Sequence, residues 1–175
     1  MSGLEIEKKF LVRNHSYQTQ NSGQSHIQQG YICSDRGRTV RVRIRDDRGY
    51  LTIKGPSSDN GVSRYEFEQE TEPDEAQELM KLCEKSEETG KPLMIDKTRY
   101  LVKSGRHTFE VDEFHGENEG LVVAEVELQS EDEDYLLPDF INKEDEVTGD
   151  RKYYNSQLLK HPFSTWPKDG ESAVR

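Results

Sequence analysis

Among the like-charged residues spaced two apart in this 175-residue chain, four acidic pairs and two basic pairs stand out. The acidic pairs are Glu5/Glu7, Glu66/Glu68, Glu110/Asp112 and Glu125/Glu127; the basic pairs are Arg41/Arg43 and Lys97/Arg99. Lys9 continues the first pair at the same spacing, Arg64 precedes Glu66 by two, and Lys54 ends a run of its own. On a β-strand, residues i and i+2 share a face, so each pair becomes two charges pointing the same way. Carboxylates with water are the usual ligands of hard divalent cations such as Mg2+ or Mn2+, which often complete their shells with phosphate oxygens. Cationic side chains hold the phosphates themselves. The reaction such parts support is phosphoryl transfer, in which positioning and charge neutralisation supply most of the catalysis.

The elements that must carry these charges are strands. Alternation predicts them over residues 4–12, 26–33, 39–45, 50–54, 64–70, 95–103, 108–114 and 121–128. Turns at Asp46-Asp47-Arg48-Gly49 and Ser104-Gly105-Arg106 fold neighbouring runs into hairpins. Pro73 opens a helix with Ala76, Leu79, Met80, Leu82 and Cys83 at helical spacing. Ser130 and Glu133 make a capping box for a short helix through Leu137, stopped by Pro138. Asp150 caps a last helix to about Lys160, and the tail after Trp166 (residues 166–175) reads as loose.

Along these strands the charged residues oppose the apolar ones. Arg41, Arg43 and Arg45 lie opposite Val40, Val42 and Ile44, while Glu125 and Glu127 lie opposite Ala124, Val126 and Leu128. One such strand is an ordinary amphipathic strand with a solvated face. Seven in one chain, with acidic and basic residues largely on separate strands, need another explanation. If the sheet closes, one face points inward. A charged interior is tolerable only where it encloses water, ions and a charged ligand, with helices outside covering the apolar face. The expected class is therefore α+β, a charged antiparallel barrel with a few outer helices, in a single domain spanning 1–175 with its core at about 4–160.

Composition agrees. Only 31% of the chain is hydrophobic and 34% is charged, with a net charge of −11, which disfavours nucleic acid or anionic membrane as partners. Cys33 and Cys83 form neither a disulfide framework nor a CxxC pair. With no apolar leader and no membrane-length apolar run, the expected setting is the reduced cytoplasm. The five histidines lack zinc-site spacing, and no GxxxxGK[ST] loop occurs.

Glu5-Ile6-Glu7-Lys8-Lys9 resembles the ExExK signature of the CYTH superfamily, the triphosphate tunnel metalloenzymes. The resemblance extends, in order, through Gly30-Tyr31, Val40 to Arg43, Thr52 to Gly55, Arg64 to Glu68, Asp96 to Tyr100, Glu110 to Asp112, Glu125 to Glu127 and Asp150 to Asn155. It implies an eight-stranded antiparallel tunnel and hydrolysis of a triphosphate with Mg2+ or Mn2+. Glu5, Glu7, Glu125 and Glu127 match the metal-binding carboxylates. Lys9, Arg41, Arg43, Lys54, Lys97 and Arg99 match the basic residues that grip the triphosphate, Arg64 joins them, and Lys9 also counts among the catalytic residues. Glu66, Glu68, Glu110 and Asp112 match acidic residues that hold a second metal or orient the attacking water. Lys152 and the last helix resemble a segment that plugs one tunnel mouth. The chain looks most like the short bacterial inorganic triphosphatases, which act on tripolyphosphate. Thiamine-triphosphatase, adenylyl cyclase and a non-catalytic polyphosphate or nucleotide binder stay as alternatives, and a homodimer is an expectation from the resemblance. The pattern leaves open whether Arg45 faces inward and whether Tyr31 touches substrate or packs.

Overall fold

The computed structural model describes residues 2–167. Of the tail expected to be loose (166–175), Trp166 and Pro167 are described, and the Trp166 ring packs edge-on against Tyr153 and Phe163; the rest lies outside the described residues. Eight strands form: β1 (Ser2–Leu11), β2 (Gly23–Cys33), β3 (Thr39–Arg45), β4 (Arg48–Lys54), β5 (Ser63–Thr71), β6 (Ile95–Ser104), β7 (His107–Phe114) and β8 (Val122–Leu128). They close into an antiparallel barrel in the order β1-β5-β4-β3-β2-β6-β7-β8. β1 pairs with β5 through Ser2 to Ile6 and with β8 through Ile6 to Leu11, the stagger by which tilted strands close. At the β3–β4 turn Asp46 adopts φ 53°, a left-handed conformation that Asp tolerates, and at the β6–β7 turn Gly105 adopts φ 62°.

Apolar packing takes the outer face, as the alternation requires. Ile6 and Phe10 of β1, Phe109 and Val111 of β7, and Ala124 and Val126 of β8 form one buried cluster with Tyr17, Phe140 and Ile141. Tyr17 opens α1 (Tyr17–Gln20), a single turn inside a segment whose composition reads as loop. A second outer cluster joins Val42 to Ala76, Met80 and Cys83 beneath α2 (Pro73–Met80). That helix sits directly on Gly49, where a Cβ would fall 2.6 Å from the Ala76 Cβ. No helix among the described residues is long and apolar enough to cross a membrane.

Two expected helices are corrected. Residues 130–137 form no helix. Glu133, Tyr135 and Leu137 are half-buried while Asp134 and Leu136 are exposed, a two-residue alternation that suits an extended segment. Tyr135 and Leu137 pack against the first outer cluster, and Glu133 accepts from His107 Nε2 at 2.7 Å. Tertiary burial overrides the capping signal. The expected 150–160 helix breaks in two. Asp150 does accept from the Lys152 backbone N–H, but only a 3-10 turn follows, Arg151–Tyr153. Tyr154 is extended (φ −70°, ψ 138°), and α3 (Asn155–Leu158) is one turn long.

Candidate functional site

The barrel interior has two halves. At one end Leu11, Tyr31, Ile95, Phe114 and Val123 meet Tyr153, Leu158 and Leu159 from the C-terminal segment in a buried apolar cluster. The C-terminal segment thus plugs this end. The break at Tyr154 matters here, because it lets Tyr153 enter the plug while Tyr154 and Asn155 line the space above it.

Beyond the plug is a polar cavity of about 180 Å³. Eight basic residues line it: Lys9, Arg41, Arg43, Arg45, Lys54, Arg64, Lys97 and Arg99. Seven carboxylates interleave with them: Glu5, Glu7, Glu66, Glu68, Glu110, Glu125 and Glu127. Arg45 therefore faces inward, donating to the Tyr50 hydroxyl at 2.6 Å, and Tyr31 both lines the cavity and packs in the plug.

The charges are held in local pairs. Lys54 Nζ lies 2.8 Å from Glu5 Oε1 and 3.6 Å from Glu66 Oε2. Lys9 Nζ reaches Glu125 at 3.3 Å, and Arg41 lies 3.6 Å from Glu68 while donating to Thr52 Oγ1 at 3.1 Å. Arg41 Nε is buried without a hydrogen-bond partner among the described residues. Such a group costs about 1–3 kcal/mol and is well placed for an incoming oxygen.

Two expected site residues move. Asp112 is not in the cavity wall. It accepts two bonds from Arg99 (2.8 and 2.9 Å) and one from Lys97 (2.8 Å), so its oxygens are consumed beneath the cavity as a brace for both cations. Burial opposes its ionisation, but Arg99 and Lys97 hold the carboxyl well below the usual carboxylate range. Lys152 is exposed and points away, its ammonium 4.8 Å from the Trp166 ring and 5.2 Å from that of Tyr153. It packs on the outside of the plug.

Two polar residues join the site that the charge pattern does not point to. Asn155 Oδ1 accepts from Lys97 Nζ at 2.9 Å and from Gln29 Nε2 at 3.1 Å, and Gln29 Oε1 accepts from Arg43 Nε at 2.8 Å. This chain ties the plug to the cationic floor. Gln29 shares the inward face of β2 with Ile27 and Tyr31, so strand period alone is enough to find it. A single helix over 150–160 gives no reason to bring Asn155 here; only the break at Tyr154 does.

Electrostatics sort the carboxylates. Burial works against ionised Glu125, yet Lys9 and Arg99 carry its pKa down to about 2. Burial likewise opposes Glu5, and Lys54 brings it below the ordinary value. Glu7 goes the other way. Burial, then the neighbouring Glu125 and Glu5, push its carboxyl up to about 8. A crowded carboxylate among other carboxylates fits the donor chemistry of a hard divalent ion. Among the described residues no group of three His, Cys, Asp or Glu converges as a ready-made metal cage. Glu5, Glu7, Glu125 and Glu127 would hold such an ion with water and substrate oxygens completing its shell. On the floor, burial and the charges of Arg99 and Arg43 outweigh Asp112 and bring Lys97 down to about 7.

Comparison with known proteins follows the same lines. The profile of the CYTH domain matches residues 3–154. An inorganic triphosphatase of Acetivibrio thermocellus is 46% identical over 165 residues, covering 94% of this chain and 98% of its own. An inorganic triphosphatase of Nitrosomonas europaea is 31% identical over 161 residues, covering 88% and 95%. The crystal structure of an inorganic triphosphatase superposes with a TM-score of 0.57 at 28% identity, over 89% of this chain and 93% of that one. With a profile match along most of its length and relatives aligned nearly end to end, the chain belongs to the CYTH domain family.

Proposed function

We propose that this protein hydrolyses inorganic tripolyphosphate to pyrophosphate and orthophosphate with Mg2+ or Mn2+. One observation carries the reading: eight basic side chains and seven carboxylates line a cavity plugged at one end. The cations can grip a slim polyanion along its length. They cannot neutralise it as well as the carboxylates, so divalent ions must make up the difference. A bound metal supplies Lewis-acid polarisation of the phosphates and charge neutralisation. Glu5, Glu7, Glu125 and Glu127 hold it. Lys9, Arg41, Arg43, Lys54, Lys97 and Arg99 orient the phosphates, with Arg64 beside Glu5. Glu66, Glu68 and Glu110 face the same space and orient the attacking water. Asp112 positions Lys97 and Arg99. The ring of Tyr154 has Lys9, Arg64 and Arg151 at 5.0, 5.4 and 5.6 Å, which leaves it poorly placed to stack a base. The relatives named inorganic triphosphatase support the same substrate.

Purified protein given tripolyphosphate, ATP and thiamine triphosphate in parallel, with and without chelator, tests the proposal. Phosphate release from tripolyphosphate that stops with chelator and returns with Mg2+ or Mn2+ is the expected result. Undiminished turnover in excess chelator would exclude the metal site, and cyclic AMP as the main product from ATP would favour a cyclase. We assign the protein to the reduced cytoplasm, consistent with the free Cys33 and Cys83, and propose a homodimer, which light scattering checks.

A further inference from the structure

A second recess, of about 240 Å³, lies at the plugged end of the barrel. Its walls are the β2–β3 turn, the β4–β5 loop and the segment 149–156. Recess and tunnel share Thr39, Arg64, Tyr154 and Ser156. The Tyr154 ring is approached by Lys9 of the tunnel, Arg151 of the recess, and Arg64, which lines both. One aromatic side chain and one arginine thus stand between two charged spaces.

We propose that the recess is a second oxyanion site, taking orthophosphate or a closely similar tetrahedral anion. Arg36, Arg38, Arg64 and Arg151 line it against Asp35 and Asp59. Asp35 is already bound by Arg38 at 3.0 Å. Arg36 and Arg151 have no carboxylate partner within 4.0 Å among the described residues. In a chain of net charge −11, a recess with surplus arginine is not a by-product of composition. The remaining wall is rich in small donors: the hydroxyls of Ser57, Thr39 and Ser156, and bare backbone where Gly61 and Gly149 adopt φ 74° and 83°. Those two glycines lock the walls together, since a Cβ on Gly61 would fall 2.3 Å from the Gly149 Cα. Arginine, hydroxyl and exposed backbone in a fixed concavity are the chemistry of phosphate-oxygen recognition. Among the described residues that line it, only Pro56 and Tyr154 carry largely apolar side chains, which suits a small anion better than a larger organic ligand.

The anion can be free phosphate or the enzyme's own product. The second source rests on the triphosphatase reading; the site itself does not. The test compares wild type with Arg36→Ala/Arg151→Ala, two substitutions outside the tunnel's gripping set. Calorimetric titration of orthophosphate, with no substrate present, should show a binding event that weakens at least about tenfold in the double variant, while the melting temperature holds. Orthophosphate added to a tripolyphosphate assay should inhibit with a non-competitive component that the double variant loses. With none added, slowing as product accumulates should shrink in the same variant if the product reaches the recess. Unchanged phosphate binding in a folded double variant would overturn the site. Lost binding with unchanged product slowing would keep the site and assign it to free phosphate. Protein that binds phosphate in this way yet hydrolyses no triphosphate would sink the triphosphatase reading alone.

Discussion

Glu7 and Glu5 sit on the same face of one strand and are treated oppositely by their surroundings. Glu5 is clasped by Lys54, whereas Glu7 is left among carboxylates and rises to about 8. In metal-free protein this has a consequence for stability. An acid whose folded pKa is raised makes the native state bind a proton that the unfolded chain has released. Stability should then fall as pH climbs from about 4.5 to about 7, by up to about 1.4 kcal/mol per pH unit for one such group; above about 7 the lowered Lys97 works in the opposite direction. Thermal melts in chelator across that range should show the decline, Glu7→Gln should flatten it, and Mg2+ should offset it. A wild-type melting profile that rises over the window would contradict the assigned crowding. Asp112 behaves differently, because it is the shared partner of two buried cations. Asp112→Asn should destabilise by about 3–5 kcal/mol, the usual cost of stranding buried charge. It should also depress turnover through misplaced Lys97 and Arg99. Full activity and an unchanged denaturation midpoint would remove its positioning role.

The β3 strand carries its two jobs on opposite faces. Val42 is fully buried beneath α2, while Arg41 and Arg43 point into the tunnel. Val42→Lys should therefore unfold or severely destabilise the protein. Arg43→Ala should leave it folded and weaken substrate binding by about 1.5–3 kcal/mol, the usual worth of one charge-assisted hydrogen bond. Circular dichroism and tripolyphosphate kinetics on both variants check the pair; a well-folded Val42→Lys would reverse the face assignment. Two-residue periodicity makes this strand, and the inward set Glu5, Glu7, Lys54, Glu66 and Arg99, legible in the amino-acid order itself, because closure of the sheet leaves only one inside. What the sequence hides lies where local signals lose to packing. Ser130 and Glu133 carry a proper helix-start signal, yet Tyr135 and Leu137 pack against the first outer cluster from an extended segment. Asp150 caps a turn, yet the helix breaks at Tyr154 because Tyr153 belongs in the plug and Asn155 belongs on the floor. Asp112 shares the inward period of Glu110. Its depth along the tunnel, which decides between brace and wall, depends on cross-strand register with Arg99.

At the scale of the whole molecule, substrate choice follows from a tunnel with one end filled. Leu158 and Leu159 lie in the apolar plug, and Asn155 joins it to Lys97 and Gln29. On the proposed reading, a linear triphosphate lies inside, among the cations that line the cavity. On the same reading the nucleoside of ATP would stay at the open mouth, among Arg45, Glu68, Glu110 and Glu127, and would gain little there. More binding energy is then available to position the phosphorus of tripolyphosphate for attack. The kcat/KM for tripolyphosphate should exceed that for ATP by at least about tenfold, or roughly 1.4 kcal/mol of transition-state preference. Pyrophosphate, one phosphoryl group shorter, should be a poor substrate. Loosening the plug without touching the cations separates this explanation from simple charge attraction. Leu158→Ala opens space below the floor and should cost about 2–5 kcal/mol of stability. At a temperature where the variant stays folded, its tripolyphosphate kcat/KM should fall more than its ATP kcat/KM, because only the buried substrate relies on a fixed floor. Equal losses for both substrates would show that the plug sets stability alone, and that the preference arises elsewhere in the tunnel.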